Sequence, residues 1–322
     1  MNNPSPLPPA LAHALTSLDF GAAQNALNLT LVPLLNPAAP AADYLPLDVA
    51  LAKGLAEVTE VSESGSVPEL FFRNRGAFKV LLVDGEELVG ARQNRVLNLS
   101  VLVAPNSALK IPVSCVEQGR WSYRSRAFRS EGRALHARAR AEKMAAVSQS
   151  LRSYSQPLSD QGALWQEIGR KSAAMEVRSN TAAMAEIFDA RRDQLADYRR
   201  AFHPLPGQIG AAFLVGNRLA GLELFDAAST LEALLPKLAD SYAMDALEQF
   251  VVRHGEKDSA SEQSAELAQD TAKAFIARVL AAKPEQYPGI GLGTTVRLEG
   301  PSLRAGALME GERMLHLSAY VA

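Results

Sequence analysis

The sequence predicts an α+β fold with three successive parts: an antiparallel β-rich N-terminal part, a helical middle segment, and a mixed α/β C-terminal part that closes the sheet. In the first third, short apolar runs alternate with a period of two residues and are separated by Gly, Asn, Asp and Pro turns. From about residue 132 to 202 the apolar residues follow a helical period instead. The last third contains both patterns.

The N-terminal part contains six predicted strands and one short helix. The first strand is Leu27–Leu35, and a Pro/Ala-rich turn follows it. A short helix is expected to begin near Pro46 and Asp48. The remaining strands are EVTEVS, PELFFRN, FKVLLVD, RVLNLSVLVA and ALKIPVSCVE. Short connections such as Asp84-Gly85 predict antiparallel neighbours.

Capping signals mark the helices of the middle and C-terminal parts. Ser159-Asp160 and Asn180-Thr181 are predicted N-caps of two middle helices. Ser229 with Glu232 resembles a capping box at the start of a later helix. The stretch AQDTAKAFIARVLAAK is predicted to be an amphipathic helix, and the polar run before it, residues 254–266, a loop.

The C-terminal strands begin with a hairpin in QIGAAFLVGNRLAGLELF, with Gly216-Asn217 at its turn. TTVRLEG, RAGALMEG and RMLHLSAYV are the predicted closing strands. The glycines of PGIGLGTTV precede one of these strands, whereas the glycines of a dinucleotide-binding fingerprint precede a helix, so this motif does not predict a dinucleotide site.

Taken together, the predicted elements indicate a flexible N-terminal segment at residues 1–25 and a single α+β domain at 26–322, with its helical segment at about 132–202.

Composition excludes several classes of protein. The formal net charge of −2 provides no general attraction for polyanions, and no apolar run approaches the ~20 residues that span a bilayer. The first twenty residues lack the pattern of a signal peptide. One cysteine, Cys115, excludes an internal disulfide, and the five histidines have no metal-ligand spacing. The sequence predicts a cytoplasmic protein with no membrane partner and no metal, and it identifies no cofactor.

A dense group of polar residues lies between Gly85 and Trp121. Glu86, Gln93, Asn94 and Arg95 crowd the end of one predicted strand and the start of the next. Amide and guanidinium groups donate directed hydrogen bonds, which suit a ribose, a base or a phosphate. The alternative is a turn whose polar side chains satisfy one another and the nearby backbone.

Cys115 and Glu117 share one face of a predicted strand with apolar residues. One hypothesis makes Cys115 a nucleophile, with Glu117 and His316 as its proton-transfer partners. That role requires a basic or positive neighbour that favours the thiolate. The alternative is that Cys115 is a small buried apolar residue.

Seven arginines and three aromatic residues alternate between Arg120 and Lys143. Arginines bind phosphates and aromatic rings stack on bases, so residues Arg120 to Arg140 form a candidate RNA-binding surface. The alternative is a solvated loop that leads into a helix.

The chain resembles a prokaryotic and phage family in several strings of its sequence. Two of them are GEELVGARQNRVLN and PVSCVEQGRW, and the others are QIGAAFLVGNRLAGLELFD, DSYAMDAL and RAGALMEGERMLHLSAY. That family is named for its genomic association with ADP-ribosylglycohydrolases and with rhodanese- or phosphatase-superfamily proteins. The resemblance extends from about Ala26 to Tyr320. The residues that match the family's motifs are Glu86, Gln93, Asn94, Arg95, Cys115, Glu117, Arg120, Trp121, Arg297 and His316.

The resemblance implies a role near ADP-ribose, NAD or RNA-end metabolism. In this hypothesis Arg95 and Arg120 contact phosphate, Trp121 stacks on a base, and Glu117 acts on a hydroxyl or a water. The protein would then bind or process a nucleotide-type small molecule, and the sequence leaves open whether it is an enzyme. The rival hypothesis is a non-catalytic module that binds RNA, another protein or a second copy of this chain.

Overall fold

The computed structural model describes residues 6–62, 67–122, 125–252 and 265–322. Within these ranges the chain has eight helices and eighteen strands, which confirms the α+β class. The helices are α1 (Pro9–Thr16), α2 (Leu47–Ala52), α3 (Ala137–Tyr154), α4 (Gln161–Ala174), α5 (Met184–Ala190), α6 (Arg192–Ala201), α7 (Ala228–Val252) and α8 (Ala265–Leu280). The strands are β1 (Asp19–Phe20), β2 (Gln24–Ala26), β3 (Leu29–Leu35), β4 (Tyr44–Pro46), β5 (Ala56–Glu60), β6 (Glu69–Asn74), β7 (Lys79–Leu82), β8 (Glu87–Gly90), β9 (Arg95–Leu97), β10 (Val101–Val103), β11 (Ser107–Cys115), β12 (Phe128–Arg129), β13 (Gln208–Val215), β14 (Arg218–Phe225), β15 (Lys283–Pro288), β16 (Thr294–Gly300), β17 (Leu303–Glu310) and β18 (Arg313–Val321).

The chain forms two compact units. The first unit contains the described residues of three ranges: those up to Ala42, those within Gln194–Pro288 and those within Gly293–Ala322. The second unit contains the described residues within Asp43–Asp193 and within Gly289–Leu292. The domain boundaries predicted from the sequence stay predictions. In the structure, α1 lies within the predicted N-terminal segment and buries Leu11 and Leu15.

The first unit is built on a nine-stranded antiparallel sheet with the order β1-β3-β13-β14-β18-β17-β16-β15, in which β2 also pairs with β3. One face of this sheet packs against α1 and α8. The apolar residues of α8 recur at helical spacing and form one buried side of the helix. They are Ala268, Ala272, Phe275, Ile276 and Val279. The β13–β14 hairpin turns at Gly216 and Asn217, whose φ angles of 54° and 63° are those of a type I′ turn. The predicted hairpin is therefore confirmed.

A polar cluster is buried within the first unit. The Glu223 carboxylate accepts hydrogen bonds from the hydroxyls of Tyr242 and Tyr320, both at 3.1 Å, and lies 3.2 Å from His316 Nε2. Gly221 precedes Glu223 by two residues on β14. A Cβ there would lie 2.6 Å from the Tyr242 hydroxyl and 2.7 Å from the Ala319 carbonyl oxygen. The missing side chain therefore makes room for the cluster.

We expect Gly221→Ala to lower the free energy of unfolding by about 1–3 kcal/mol, since the added methyl overpacks a site that includes backbone. Thermal and chemical denaturation would measure this loss. Gly169→Ala is the control, because Gly169 lies inside α4 and a Cβ there meets nothing within 4 Å. That control should gain up to about 1 kcal/mol from helix propensity. Equal stabilities for the two variants would contradict the packing described for Gly221.

The second unit contains a six-stranded sheet, β12-β8-β9-β11-β6-β5, and a three-stranded sheet, β10-β7-β4. Its core joins residues of both sheets, including Phe72, Leu82, Leu97, Val101 and Ile111. The pairing of β4 with β7 is parallel, and the other pairings within these two sheets are antiparallel. The middle helices α3, α4 and α5 belong to this unit. No helix in the described part of the chain is long and apolar enough to cross a membrane.

One predicted helix start is confirmed and two are wrong. Asp160 caps α4 by accepting a hydrogen bond from the Ala163 N–H at 2.9 Å. Asn180-Thr181 is not a cap, because α5 begins at Met184 and the Thr181 hydroxyl is hydrogen-bonded to Glu117 instead. Ser229 lies inside the first turn of α7, where the N–H groups of Thr230 and Leu231 donate to the Ala227 carbonyl.

Further differences concern element boundaries and strands that were not predicted. The predicted strand RVLNLSVLVA is divided into β9 and β10. The break coincides with Asn98 and Ser100, whose side chains bond the Pro157 carbonyl and the Asp84 N–H. The sequence did not predict the strands β1, β2, β4, β8, β12 and β15. In β15 the reason is its two Pro residues, which lack a β pattern. The predicted polar loop at 254–266 lies mostly outside the described residues.

Candidate functional site

The candidate site lies in the second unit, at the turn that joins β8 to β9. The backbone of this turn is unusual, because Gly90 has a φ of 140° and Ala91 a φ of 39°. A Cβ on Gly90 would lie 2.8 Å from the Ala127 carbonyl oxygen. The Ala91 N–H donates to Ser125 Oγ at 3.1 Å. The turn is therefore held closely by the segment that leads into β12.

Arg120 holds the same turn through its guanidinium group. Its Nη1 donates to the carbonyls of Ala91 and Ser122 at 2.7 and 2.8 Å. Its Nη2 donates to Glu117 Oε2 at 2.6 Å and to Asn94 Oδ1 at 3.2 Å. With a further bond from Nη2 to the Gly90 carbonyl at 3.3 Å, Arg120 links two carbonyls of this turn to a carboxylate that follows β11.

Glu117 is fully buried and receives hydrogen bonds at both carboxylate oxygens. Besides Arg120, the Asn94 N–H donates to Oε2 at 3.2 Å, and the Thr181 hydroxyl donates to Oε1 at 3.0 Å. Burial alone would raise the pKa of Glu117, but the hydrogen bond and charge of Arg120, with Asn94 and Thr181, hold that pKa below its usual range. The carboxylate is therefore charged and well satisfied, which suits a structural clamp better than a general base.

Arg95 differs from Arg120 because its hydrogen-bonding capacity is mostly unused. The side chain is fully buried, and its Nη1 donates to Gln93 Oε1 at 3.2 Å. Within the described residues, Arg95 Nε and Nη2 have no hydrogen-bond partner. Burial lowers the pKa of Arg95, although the guanidinium remains protonated near neutral pH. A buried cation with two unused donors is costly unless something else meets them.

Trp121 lies beside this guanidinium and is 46% exposed. The Arg95 Cζ atom is 5.8 Å from the centroid of the Trp121 ring, and the Arg92 Cζ atom is 5.6 Å from it. Two cations therefore already lie over the ring. Trp121 is the exposed member of the group, and Arg95 is its buried member.

Cys115 lies in the same region but in a state unlike that of a nucleophile. Its backbone N–H and carbonyl both bond the Gln161 side-chain amide, each at 2.8 Å. Burial raises the pKa of the thiol, and the opposing charge of Arg95 does not cancel that effect. The thiol therefore stays protonated near neutral pH, and the alternative of a buried apolar residue describes Cys115 better.

The sequence-based site residues fall into two groups. Gln93, Asn94, Arg95, Cys115, Glu117, Arg120 and Trp121 lie on the β8–β9 turn, the end of β11 and the residues after it. Glu86 belongs to the same unit, where its Oε2 accepts from the Val83 N–H at 2.6 Å. Arg297 and His316 belong to the first unit. Arg297 pairs with Gly306 in the sheet, and His316 contacts Glu223.

The arginine-rich segment is extensively paired with carboxylates. Arg133 bonds Glu87 at 2.8 Å and Asp189 at 3.1 Å, while Arg138 bonds Glu142 at 3.2 Å. Arg129 bonds Glu131, and Arg120 is the buried clamp described above. These pairs use much of the positive charge that an RNA backbone would need.

Sequence reasoning missed three participants, namely Glu60, Arg92 and Thr181. Glu60 Oε1 accepts from the Arg92 N–H at 3.4 Å, and its charge acts on Arg95. Glu60 and Thr181 are distant in the chain from the motif strings, so the sequence gives no sign that they belong to the site. The described residues contain no group of three or more His, Cys, Asp or Glu side chains that could hold a metal ion.

A family model matches residues 17–320, and it describes the ARG and Rhodanese-Phosphatase-superfamily-associated Protein domain. No curated protein matches the chain, and no solved structure does.

Proposed function

The chain belongs to the ARG and Rhodanese-Phosphatase-superfamily-associated Protein family, and on that premise we propose that its second unit binds an anionic, nucleotide-type small molecule through Arg95. The family's name associates it with ARG proteins, a relation consistent with a ligand from ADP-ribose or NAD chemistry. The observation that carries the proposal is the buried guanidinium of Arg95, whose Nε and Nη2 lack partners among the described residues.

The electrostatics of the site support an anion as the ligand. Three guanidinium groups, those of Arg92, Arg95 and Arg120, lie here with two carboxylates, those of Glu60 and Glu117. Glu117 is already paired with Arg120, and Arg95 itself forms no ion pair among the described residues, so its charge is the one to be balanced. An anion on Arg95 balances that charge and satisfies the two unused donors in one step.

Some neighbouring residues position Arg95, and others are placed to contact the ligand. Gln93 fixes one end of the Arg95 guanidinium, and Arg120 with Glu117 holds the turn that carries both residues. Trp121 offers an aromatic surface beside the anion, where a base stacks once it displaces the Arg92 side chain. The pairing of Arg129, Arg133 and Arg138 with carboxylates favours this small-molecule proposal over RNA binding along the segment.

Titration calorimetry and thermal shift with ADP-ribose, NAD and mononucleotides test the proposal. A ligand at a hundredfold excess over its Kd should stabilise the wild-type protein by about 2.7 kcal/mol. Arg95→Met should abolish that stabilisation, and Arg95→Lys should weaken it because an ammonium lacks the bidentate fork.

Arg75→Met is the matched control, since Arg75 is an exposed arginine of the same unit that pairs with Glu57. This variant should bind like the wild type. The proposal fails if no ligand of the panel binds, or if Arg95→Met binds as tightly as Arg75→Met.

A further inference from the structure

The unused donors of Arg95 lie on one edge of its guanidinium. In an arginine side chain, Nε–H and one N–H of Nη2 point the same way, while Nη1 lies on the other side of Cζ, next to Cδ. Gln93 occupies Nη1, and the atoms without partners among the described residues are Nε and Nη2. The available edge is therefore the one that forms two parallel hydrogen bonds to two oxygens of a single phosphate or carboxylate group.

The depth of this edge restricts which part of a ligand can reach it. Arg95 has no exposed surface, whereas Trp121 beside it is 46% exposed. A group at the end of a ligand needs room on one side only. A phosphate inside a pyrophosphate, as in NAD or ADP-ribose, needs room for a nucleoside or sugar on both sides.

The charge of the site also favours a terminal phosphate. A phosphate monoester carries a charge of about −1.5 to −2 near neutral pH, whereas each phosphate of a pyrophosphate diester carries about −1. Arg95 forms no ion pair among the described residues, and it lies in surroundings from which water is largely excluded. Electrostatic attraction in such surroundings is stronger than in water and grows with the charge of the ligand.

We propose that the site recognises a terminal phosphate monoester on a nucleotide, held bidentately by Arg95, and that it discriminates against internal pyrophosphates. This inference rests on the proposed function and specifies its ligand class. Gln93 is a positioning residue in this account, because its Oε1 orients the guanidinium through Nη1 and leaves the opposite edge to the phosphate.

Calorimetric titration of the full chain with matched ligands tests the inference. The panel consists of AMP, adenosine, NAD, ADP-ribose, and a trinucleotide RNA with either a 5′-phosphate or a 5′-hydroxyl. We expect AMP to bind at least tenfold more tightly than adenosine, NAD and ADP-ribose. The two RNA ligands test whether an RNA end also supplies the phosphate, in which case only the 5′-phosphorylated trinucleotide binds.

Arg95→Met and Gln93→Ala complete the design. Arg95→Met should remove the preference for AMP over adenosine, and Gln93→Ala should reduce it several-fold while the folded state, checked by circular dichroism, is retained. If ADP-ribose or NAD binds as tightly as AMP and Arg95→Met abolishes that binding, the terminal-phosphate inference is overturned and the proposed function stands. If no ligand depends on Arg95, both are overturned.

Discussion

Glu117→Ala is expected to lower the free energy of unfolding of the second unit by about 3–5 kcal/mol. The substitution removes the carboxylate that pairs with Arg120 at 2.6 Å and leaves a buried guanidinium without its counter-ion. It also removes the acceptor for the Asn94 N–H and for the Thr181 hydroxyl. Breaking one side of a buried pair costs more than the pair itself contributes, because the remaining charge stays desolvated.

Urea denaturation followed by tryptophan fluorescence measures this loss, since Trp121 and Trp165 both belong to the second unit. Glu131→Ala is the control, because Glu131 forms an exposed ion pair with Arg129. That pair should contribute at most about 1 kcal/mol. A loss for Glu117→Ala as small as that of the control would show that Glu117 is not the clamp described here.

Asp240→Asn is expected to stabilise the protein at pH 8 by about 4 kcal/mol and to have no such effect near pH 3.5. Asp240 is buried on α7. Desolvation raises its pKa from 3.8 to about 7, although Arg199 at 3.2 Å opposes that change. Because the folded protein holds this proton more tightly than the unfolded chain, the stability contributed by the neutral carboxyl is lost as the pH rises from about 4 to 7. Asparagine keeps the shape of the carboxyl without its charge.

Chemical denaturation followed by far-UV circular dichroism at several pH values would test this expectation. Asp270→Asn is the control, because Asp270 is exposed on α8 and pairs with Lys273. Its stability should follow that of the wild type within about 0.5 kcal/mol at every pH. A difference between Asp240→Asn and wild type that is the same at pH 5 and pH 8 would contradict the raised pKa.

Local pattern was enough to predict most elements of the fold. Strand periodicity located β3, β6, β7 and β11, and Gly216-Asn217 located the hairpin turn, because these signals depend on residues that are adjacent in the chain. The predictions of where helices start were less reliable. The Thr181 hydroxyl bonds a carboxylate 64 residues away, and nothing local to the sequence indicates that competition.

The candidate site could be predicted as a set of residues but not as a set of roles. The strings around Gln93–Arg95 and Glu117–Trp121 do lie together in the second unit. Arg95 and Arg120 are both buried arginines of these strings. Arg95 donates to one acceptor and leaves Nε and Nη2 unused, whereas Arg120 donates to five acceptors and leaves only Nε without a partner among the described residues. That difference depends on carbonyls that the β8–β9 turn presents, and residue type alone does not reveal it.

The role of Glu117 illustrates the same point. A carboxylate on the apolar side of a strand suggests either a cleft or a buried partner, and a sequence does not distinguish these cases. In the structure the partner is Arg120, three residues later. The acid–base role considered for Glu117 therefore has less support than a positioning role.

The unfolding free energy of Arg95→Met, measured with and without AMP, tests the central claim most directly. If the role of Arg95 is to bind a ligand, the Arg95→Met substitution removes a buried and incompletely paired charge that the ligand-free protein does not need. The ligand-free variant should then be as stable as the wild type or more stable by up to about 4 kcal/mol, while AMP stabilises only the wild type. A ligand-free variant that loses about 3 kcal/mol or more, with no difference in its response to AMP, would show that Arg95 is a structural residue like Arg120.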